Sequence, residues 1–169
     1  MKYFESLPKI EYDGYTVTNI LTRVKLADVS SDQMAFLPYT IEEFDKPWTI
    51  AHDYYDNVDR TWIVYLSNNM TDPIYDWYLD TRSFEKYLKK KYGSIEAAQA
   101  NLEGYKDADG TFYSIDTYTY SSNPDKSSWV PIYSYAREDE DNEKKKVIKL
   151  LDKRYAQLAE KNLLAALNG

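Results

Sequence analysis

The sequence predicts an α+β fold: a small core of two short helices flanked by strands, with an extended N-terminal arm and a C-terminal section of strands and a terminal helix. Three observations predict it. A helical pattern opens at Pro47, and a second one follows the helix cap Asp59. Short segments rich in β-branched and aromatic residues lie on both sides of this pair. Hydrophobic residues make up 43% of the chain, which is enough for a buried core.

Residues 1–35 are predicted to form the arm. Pro8 and the pair Asp13-Gly14 mark bends in the chain. Residues 15–24 are rich in β-branched side chains and are expected to be extended. Residues 30–33 are expected to form a polar turn.

The arm carries apolar side chains that a small core has little room to bury. They are Tyr3, Phe4, Leu7, Ile10 and Tyr12. A neighbouring protein can cover them, or the arm can fold back on its own domain. The sequence favours the neighbour, because the bends prevent a regular helix or long strand across residues 1–15. It predicts that deleting residues 1–14 leaves a folded domain with nearly unchanged thermal stability.

Residues 36–104 are predicted to form the helical core, after a short strand within residues 36–44. In the first helix Trp48, Ala51 and Tyr55 share a face at i, i+3 and i+7. Residues 56–59 interrupt the pattern, and the second helix is expected to be capped by Asp59 and centred on Trp62.

The end of the core is marked by helix boundary signals. Asp72-Pro73 ends the second helix, because the residue before proline is pushed out of helical geometry. A third helix is predicted from the cap Ser83 to the stop Gly93, and a fourth from the cap Ser94.

Residues 105–169 are predicted to contain the C-terminal strands and the terminal helix. Asp109-Gly110 favours a hairpin with a long second strand over residues 111–120. Another strand is expected at residues 129–136. The segment 140–167 reads either as one long helix or as a strand followed by a helix that Asp152 caps.

Charge and composition argue against several functions. The net charge is -7 and no basic stripe is present, which argues against nucleic-acid binding. The lysines within residues 86–91 are best interpreted as a solvated helix face.

With no cysteine, the chain has no disulfide, cysteine-based zinc site or thiol nucleophile. The apolar run at residues 62–66 is far too short to span a bilayer, and the N-terminus lacks the apolar core of a signal peptide. A protein made in a cytoplasm is expected.

Candidate catalytic and metal-binding groups are few. His52 is the only histidine and has no nucleophile at a recognised spacing. Residues 107–110 are similar to a calcium loop, but the position that needs an acid holds tyrosine. Asp53, Asp56 and Asp59 could supply a carboxylate pair for glycoside hydrolysis, although acids between two helices are more often caps and turn formers.

The segment from Tyr39 to Asn69 resembles the LysM module, a βααβ fold. The residues Tyr39-Thr40-Ile41 match its first strand, and Ile50-Ala51 match a pair in its first helix. Asn68 or Asn69 matches the asparagine that ends its second helix. Residues 44–48, FDKPW, replace the glycine-containing loop that helps to form the sugar groove of LysM modules.

A second resemblance covers most of the chain, from Tyr3 to about Tyr155. Baseplate wedge proteins of contractile phage tails, of the wedge protein 53 type, carry a LysM-like core in a larger frame. The chain is similar to them in the order of its motifs: Pro47, Ala51, Tyr55, Trp62-Ile63-Val64, Asn68-Asn69, Asp72-Pro73, Trp77, and then Asn142 to Lys145. This resemblance favours a break near Asp152 over one long terminal helix.

The resemblance implies a structural subunit of the virion, assembled in the host cytoplasm. Its partners would be other wedge and hub proteins in a multi-copy, six-fold assembly, with no catalytic residue, metal, cofactor, nucleic acid, membrane or small-molecule substrate. The expected protein-interface residues are Tyr3, Phe4, Leu7, Ile10, Tyr12, Tyr133, Tyr135 and Tyr155. The expected core residues are Tyr39, Ile41, Trp48, Ala51, Tyr55, Trp62, Leu66 and Trp77.

One alternative function stays open. A carbohydrate-binding module, or a weak peptidoglycan hydrolase, would use the same LysM-like core. It would need a groove with exposed aromatic side chains, for which Trp48, Tyr54 and Tyr55 are the candidates.

Overall fold

The computed structural model describes residues 3–22, 35–122 and 128–168, and it is a mixed α+β structure with small sheets. The strands are β1 (Lys9–Tyr12), β2 (Tyr15–Thr18), β3 (Phe36–Thr40), β4 (Leu102–Lys106), β5 (Phe112–Tyr113), β6 (Val130–Tyr133) and β7 (Val147–Leu151). The helices are α1 (Pro47–Tyr55), α2 (Thr61–Ser67), α3 (Thr81–Tyr92), α4 (Ile95–Ala100), α5 (Thr117–Ser121), α6 (Ser134–Lys144) and α7 (Ala156–Asn168). Short 3-10 turns lie at Tyr3–Ser6, Val58–Arg60 and Lys153–Tyr155.

The chain divides into two compact units. Unit 1 joins Met1–Trp77 to Lys146–Gly169, and unit 2 is Tyr78–Lys145. This division differs from the three consecutive segments that the sequence predicts. The reason is that β7, late in the chain, returns to pair with β3 in antiparallel register, from Phe36 opposite Leu151 to Thr40 opposite Val147.

In unit 1 the sequence order is β3, α1, α2 and then β7, with unit 2 inserted before the last strand. Ile41 follows β3 and is fully buried, as are Ile63 and Val64 of α2. The Tyr55 hydroxyl, at the end of α1, donates a hydrogen bond of 2.8 Å to the carbonyl of Leu151. Burial raises the pKa of this phenol above its usual value, so it stays a neutral donor.

The Asn68 side chain fastens α2 to β7. Its amide nitrogen donates to the carbonyl of Lys149 at 2.8 Å, and its amide oxygen accepts from the Lys149 N–H at 2.8 Å. The same nitrogen donates to the Val64 carbonyl near the end of α2. An asparagine amide thus substitutes for a neighbouring strand, because it offers one donor and one acceptor side by side.

Several predicted boundaries in unit 1 are confirmed. Helix α1 begins at Pro47 and its last residue is Tyr55, which is followed by the C-cap Asp56 with a left-handed φ of 55°. The second helix is capped differently from the prediction: the side chain of Asn57 accepts from the N–H of Asp59, and α2 begins at Thr61 after a 3-10 turn. The ambiguous C-terminal segment is strand β7 followed by helix α7, with Asp152 capping the turn between them.

In unit 2, α3 and α4 pack around the buried residues Phe84, Leu88 and Ala98. The sheet has the strand order β5-β4-β6 and is antiparallel. Gly104 has a steric role in it, because a Cβ there would meet the carbonyl oxygen of Tyr113 at 2.2 Å.

Asn142 closes unit 2 where the chain enters and leaves it. Its amide oxygen accepts from the Leu79 N–H at 2.9 Å, and its amide nitrogen donates to the Leu79 carbonyl at 2.9 Å. Asn142 is one of two buried polar residues among those the structure describes; the other is Ser134. The Asn142 amide constrains this part of unit 2 strongly, because its loss would leave the N–H and the carbonyl of Leu79 without these hydrogen-bond partners.

Three secondary-structure predictions in unit 2 are wrong. The strand expected at residues 111–120 is only two residues long, because Asp116 accepts from the Thr119 N–H and starts helix α5. The strand expected at residues 129–136 ends at Tyr133, where α6 begins. The cap of α3 is Asp80, which accepts from the N–H of the expected cap Ser83. Gly93 and the cap Ser94 are confirmed.

Glu138 of α6 ties α3 to α6 through three donors. It accepts hydrogen bonds from the hydroxyls of Tyr87 and Tyr92 and from the Lys91 ammonium. Burial disfavours the charged carboxylate, but the hydrogen bonds outweigh burial and lower the pKa of the Glu138 carboxyl.

This cluster predicts an acid-sensitive unit 2. A lowered carboxyl pKa contributes stability that is present above the unfolded value of 4.5 and is lost as pH falls through the folded value. We expect Glu138→Gln to flatten the loss of stability between about pH 6 and pH 3 compared with the wild type. Thermal melts at each pH measure it, with Glu85→Gln, at an exposed position of α3, as control. Parallel pH profiles for wild type and Glu138→Gln would contradict this.

Candidate interaction surface

The strands β1 and β2 form a hairpin with a two-residue turn. Asp13 and Gly14 both have positive φ, of 50° and 76°. Two left-handed residues make the turn whose twist matches that of paired strands. The turn fixes the register, with Tyr12 opposite Tyr15 and Ile10 opposite Val17. At the open end the Asn19 N–H donates to the Pro8 carbonyl at 2.8 Å.

The register sorts the side chains of the hairpin onto two faces, because cross-strand partners point to the same side. One face carries Lys9, Glu11, Thr16 and Thr18, and on it the Thr16 hydroxyl donates to the Glu11 carboxylate at 2.6 Å. The other face carries Ile10, Tyr12, Tyr15 and Val17. We call this second set the apolar ribbon face.

The apolar ribbon face is exposed in the structure. The exposed fractions are 43% for Ile10, 70% for Tyr12, 72% for Tyr15 and 37% for Val17. All eight residues of the two strands are exposed, and the hairpin is a sheet of its own among the described residues. A ribbon with regular apolar–polar alternation normally packs its apolar side against something, and an isolated hairpin is only marginally stable in water. The apolar ribbon face is therefore the best candidate for a surface that another molecule covers.

The segment before the hairpin behaves differently. Leu7 is buried, and the Tyr3 ring lies 6.1 Å from the ring of Trp62, centre to centre. The start of the arm thus folds back on unit 1, which is the alternative that the sequence left open. Deleting residues 1–14 is for this reason expected to lower the stability of unit 1, contrary to the sequence-based prediction.

The predicted interface residues fall into three groups. Phe4, Ile10, Tyr12 and Tyr133 are exposed, as an interface requires, whereas Tyr3 and Tyr155 are half-buried. Leu7 is buried and is not available to a partner, whereas Tyr135 is partly buried and packs edge-on against Phe84 in unit 2. Sequence reasoning missed Tyr15 and Val17. The signal that identifies them is the Asp-Gly turn, which pairs them with Tyr12 and Ile10.

The predicted core residues of unit 1 are mostly buried. Buried are Ile41, Ala51, Tyr55, Trp62 and Trp77, and half-buried are Tyr39 and Leu66. Trp48 is the exception and is 51% exposed. The buried stripe of α1 is formed by Pro47, Ile50, Ala51 and Tyr55. Trp48 lies at the margin of this stripe, since successive helix positions differ by about 100°.

A second aromatic surface lies at the start of α1. Phe44 in the preceding loop is largely exposed, and Trp48 is about half exposed. The loop is held by Asp45, which accepts from the Tyr39 hydroxyl at 2.8 Å and from the Glu42 N–H at 2.9 Å. Burial and the bond to Asp45 raise the pKa of Tyr39 to about 12, so the phenol remains a donor throughout the physiological range.

The candidate catalytic residues His52, Asp53, Asp56 and Asp59 are all exposed. His52 is exposed, and its Nδ1 lies 2.8 Å from the carboxylate of the adjacent Asp53. Asp107 accepts from the N–H groups of Asp109 and Thr111, which makes residues 107–110 a turn stabilised by its own side chain. Within residues 3–22, 35–122 and 128–168 no group of three or more His, Cys, Asp and Glu side chains is arranged to hold a metal ion.

Two sequence comparisons found no relative of this chain. No protein-family model matches the chain, and no curated protein sequence matches it. No helix in the described residues is long and apolar enough to cross a membrane.

Proposed function

We propose that this protein is a structural subunit of a contractile phage tail baseplate, a wedge component that links neighbouring wedge and hub proteins in the virion. It acts by binding and has no catalytic residue or cofactor. The observation that carries the proposal is the apolar ribbon face, with Tyr12 70% and Tyr15 72% exposed. Tyrosine is enriched at protein interfaces, since it offers a large apolar ring with a polar tip.

Two further observations support the particular class. The motif order from Pro47 to Lys145 resembles that of wedge proteins of the 53 type. The antiparallel pairing of β3 with β7 around α1 and α2 is the order expected of a LysM-like βααβ core. In this proposal unit 2 is an insertion between the second helix and the second strand of that core.

The test is reconstitution. The full chain is co-expressed with the proteins that its neighbouring genes encode, and complexes are isolated by affinity and size-exclusion chromatography. We expect a complex of fixed stoichiometry that enters six-fold assemblies visible by electron microscopy. A chain that stays separate from every one of these proteins would contradict the proposal.

Carbohydrate binding is the second candidate, and one observation favours it. Trp48 and Phe44 are exposed beside the position of the sugar groove in LysM modules. Of the other two residues that a groove would need, Tyr54 is half-buried and Tyr55 is fully buried. One free tryptophan and one loop phenylalanine make a poor groove, which is why we place this function second.

We therefore expect no binding of chitin or peptidoglycan oligomers at micromolar affinity. The glycine-containing loop of LysM modules is replaced by residues 44–48, and neither Tyr54 nor Tyr55 is fully exposed to a sugar. Isothermal titration calorimetry with both oligomers measures it. Binding that Trp48→Ala abolishes, while Trp48→Phe retains it, would favour the carbohydrate-binding module over the scaffold.

A further inference from the structure

The apolar ribbon face is too small to hold two copies of this chain together by itself. At the observed exposures the two tyrosines offer about 300 Å², from about 150–250 Å² for each aromatic side chain, and the smaller Ile10 and Val17 bring the total to about 400 Å². A stable interface of standard size buries about 800 Å² on each partner. Two ribbons packed face to face would reach about half of that.

Charge also disfavours a second copy. The two strands and their turn carry two carboxylates, on Glu11 and Asp13, and one ammonium, on Lys9. The whole chain has a net charge of -7. Two such segments repel each other at close range, whereas a basic rim would attract either one.

A groove meets the area requirement better than a flat surface does. A two-stranded ribbon has one apolar face and two edges whose backbone groups are unpaired. A flat partner covers only the apolar face, whereas a groove covers the face and both edges and so buries more area. The side chains of Ile10, Tyr12, Tyr15 and Val17 would then lie on its floor, and the carboxylates of Glu11 and Asp13 would lie at its rim.

From these observations, and resting on the proposed function, we infer that the hairpin of β1 and β2 docks into an apolar groove with a Lys- or Arg-lined rim on a different subunit of the baseplate. The hairpin is the anchor and the start of the arm ties it to unit 1. The contact between Tyr3 and Trp62 places the root of this anchor on the helix pair.

The test compares two matched pairs of substitutions in the full chain. Tyr12→Ala with Tyr15→Ala removes the aromatic part of the apolar ribbon face, and Thr16→Ala with Thr18→Ala alters the opposite face of the same strands. Affinity is measured by surface plasmon resonance against each protein that the neighbouring genes encode, purified separately. We expect the tyrosine pair to weaken binding at least tenfold and the threonine pair to change it less than twofold.

A third variant tests the basic rim. Glu11→Gln with Asp13→Asn removes two charges, and asparagine keeps the left-handed turn. We expect weaker binding whose dependence on salt is smaller than that of the wild type. An unchanged salt dependence would contradict the Lys- or Arg-lined rim, and with it the inferred groove.

The remaining outcomes separate the inference from the function. If the wild type binds and the tyrosine pair binds equally well, the inference is wrong and the proposed function stands. Equal loss in the tyrosine and threonine pairs also overturns it, since the loss would then come from the folding of the hairpin. Self-association of the purified chain that the tyrosine pair abolishes would make a second copy the occupant. If the wild type binds none of these proteins, function and inference fail together.

Discussion

Replacing Trp62 by alanine is expected to lower the free energy of unfolding of unit 1 by about 3–5 kcal/mol, the range for a large aromatic removed from a core. Trp62 is buried on α2 beside the fully buried Ile63 and Val64, and the Tyr3 ring packs against it. The substitution therefore leaves a cavity and also loosens the start of the arm. Chemical denaturation followed by far-ultraviolet circular dichroism measures the change.

Trp62→Phe is the matched control. The indole nitrogen of Trp62 is buried without a hydrogen-bond partner in the described residues. Phenylalanine keeps a ring in the site and removes this unpaired donor, so it loses packing volume but no hydrogen bond. We expect it to cost less than half of the alanine effect. An alanine effect under about 1 kcal/mol would show that the helix pair does not depend on this side chain.

The second large effect is expected at Asn142. Alanine there removes both hydrogen bonds to Leu79 and leaves a backbone donor and a backbone acceptor without their partners. At about 1–3 kcal/mol for each of the two unsatisfied groups, we expect a loss of about 2–6 kcal/mol, confined to unit 2. Hydrogen exchange of the α3 and α6 amides measures it, because unit 1 amides serve as an internal reference.

Two further substitutions check the interpretation of Asn142. Gln99→Ala, at an exposed position of α4, should leave exchange unchanged. Asn142→Asp keeps the acceptor for the Leu79 N–H, loses the donor and adds a buried charge, so it should cost at least as much as alanine. Exchange that rises equally in both units after Asn142→Ala would contradict a role confined to unit 2.

Local signals in the sequence predicted the start of the helix pair and the break within it, but not its end, because α2 ends at Ser67 and not at Asp72. Pro47 begins α1, and the interruption at residues 56–59 ends it, because both effects act within a few residues of backbone. The same holds for Gly93 and Ser94, a helix stop and a helix cap in consecutive positions. These features depend on local geometry and need no knowledge of the tertiary structure.

Long-range features could not be predicted in this way. The pairing of β3 with β7 joins residues more than a hundred positions apart, and no local pattern encodes such a pairing. The burial of Leu7 depends equally on which surface the arm meets. Trp48 shows a subtler failure: its spacing fits the buried face of α1, but it lies at the edge of that face and only packing decides its exposure.

Two of the four residues of the apolar ribbon face could be predicted from the sequence. The sequence singled out Ile10 and Tyr12 as apolar residues in need of cover, but it treated Asp13-Gly14 as a bend. Taken as a two-residue hairpin turn, the same pair brings Tyr15 and Val17 onto one face with them. The register of the hairpin therefore converts scattered apolar residues into a defined surface.

The central proposal is that a partner protein in the proposed baseplate covers the apolar ribbon face in the assembled particle. Site-specific photo-crosslinking in infected cells tests it most directly, with p-benzoylphenylalanine placed at Tyr15 on the apolar ribbon face or at Thr16 on the opposite face. Mass spectrometry of purified particles identifies the crosslinked chain. We expect position 15 to crosslink to a wedge or hub protein in high yield, and position 16 to do so much less. Crosslinks from position 15 that reach only other residues of this chain, or no protein at all, would contradict the account.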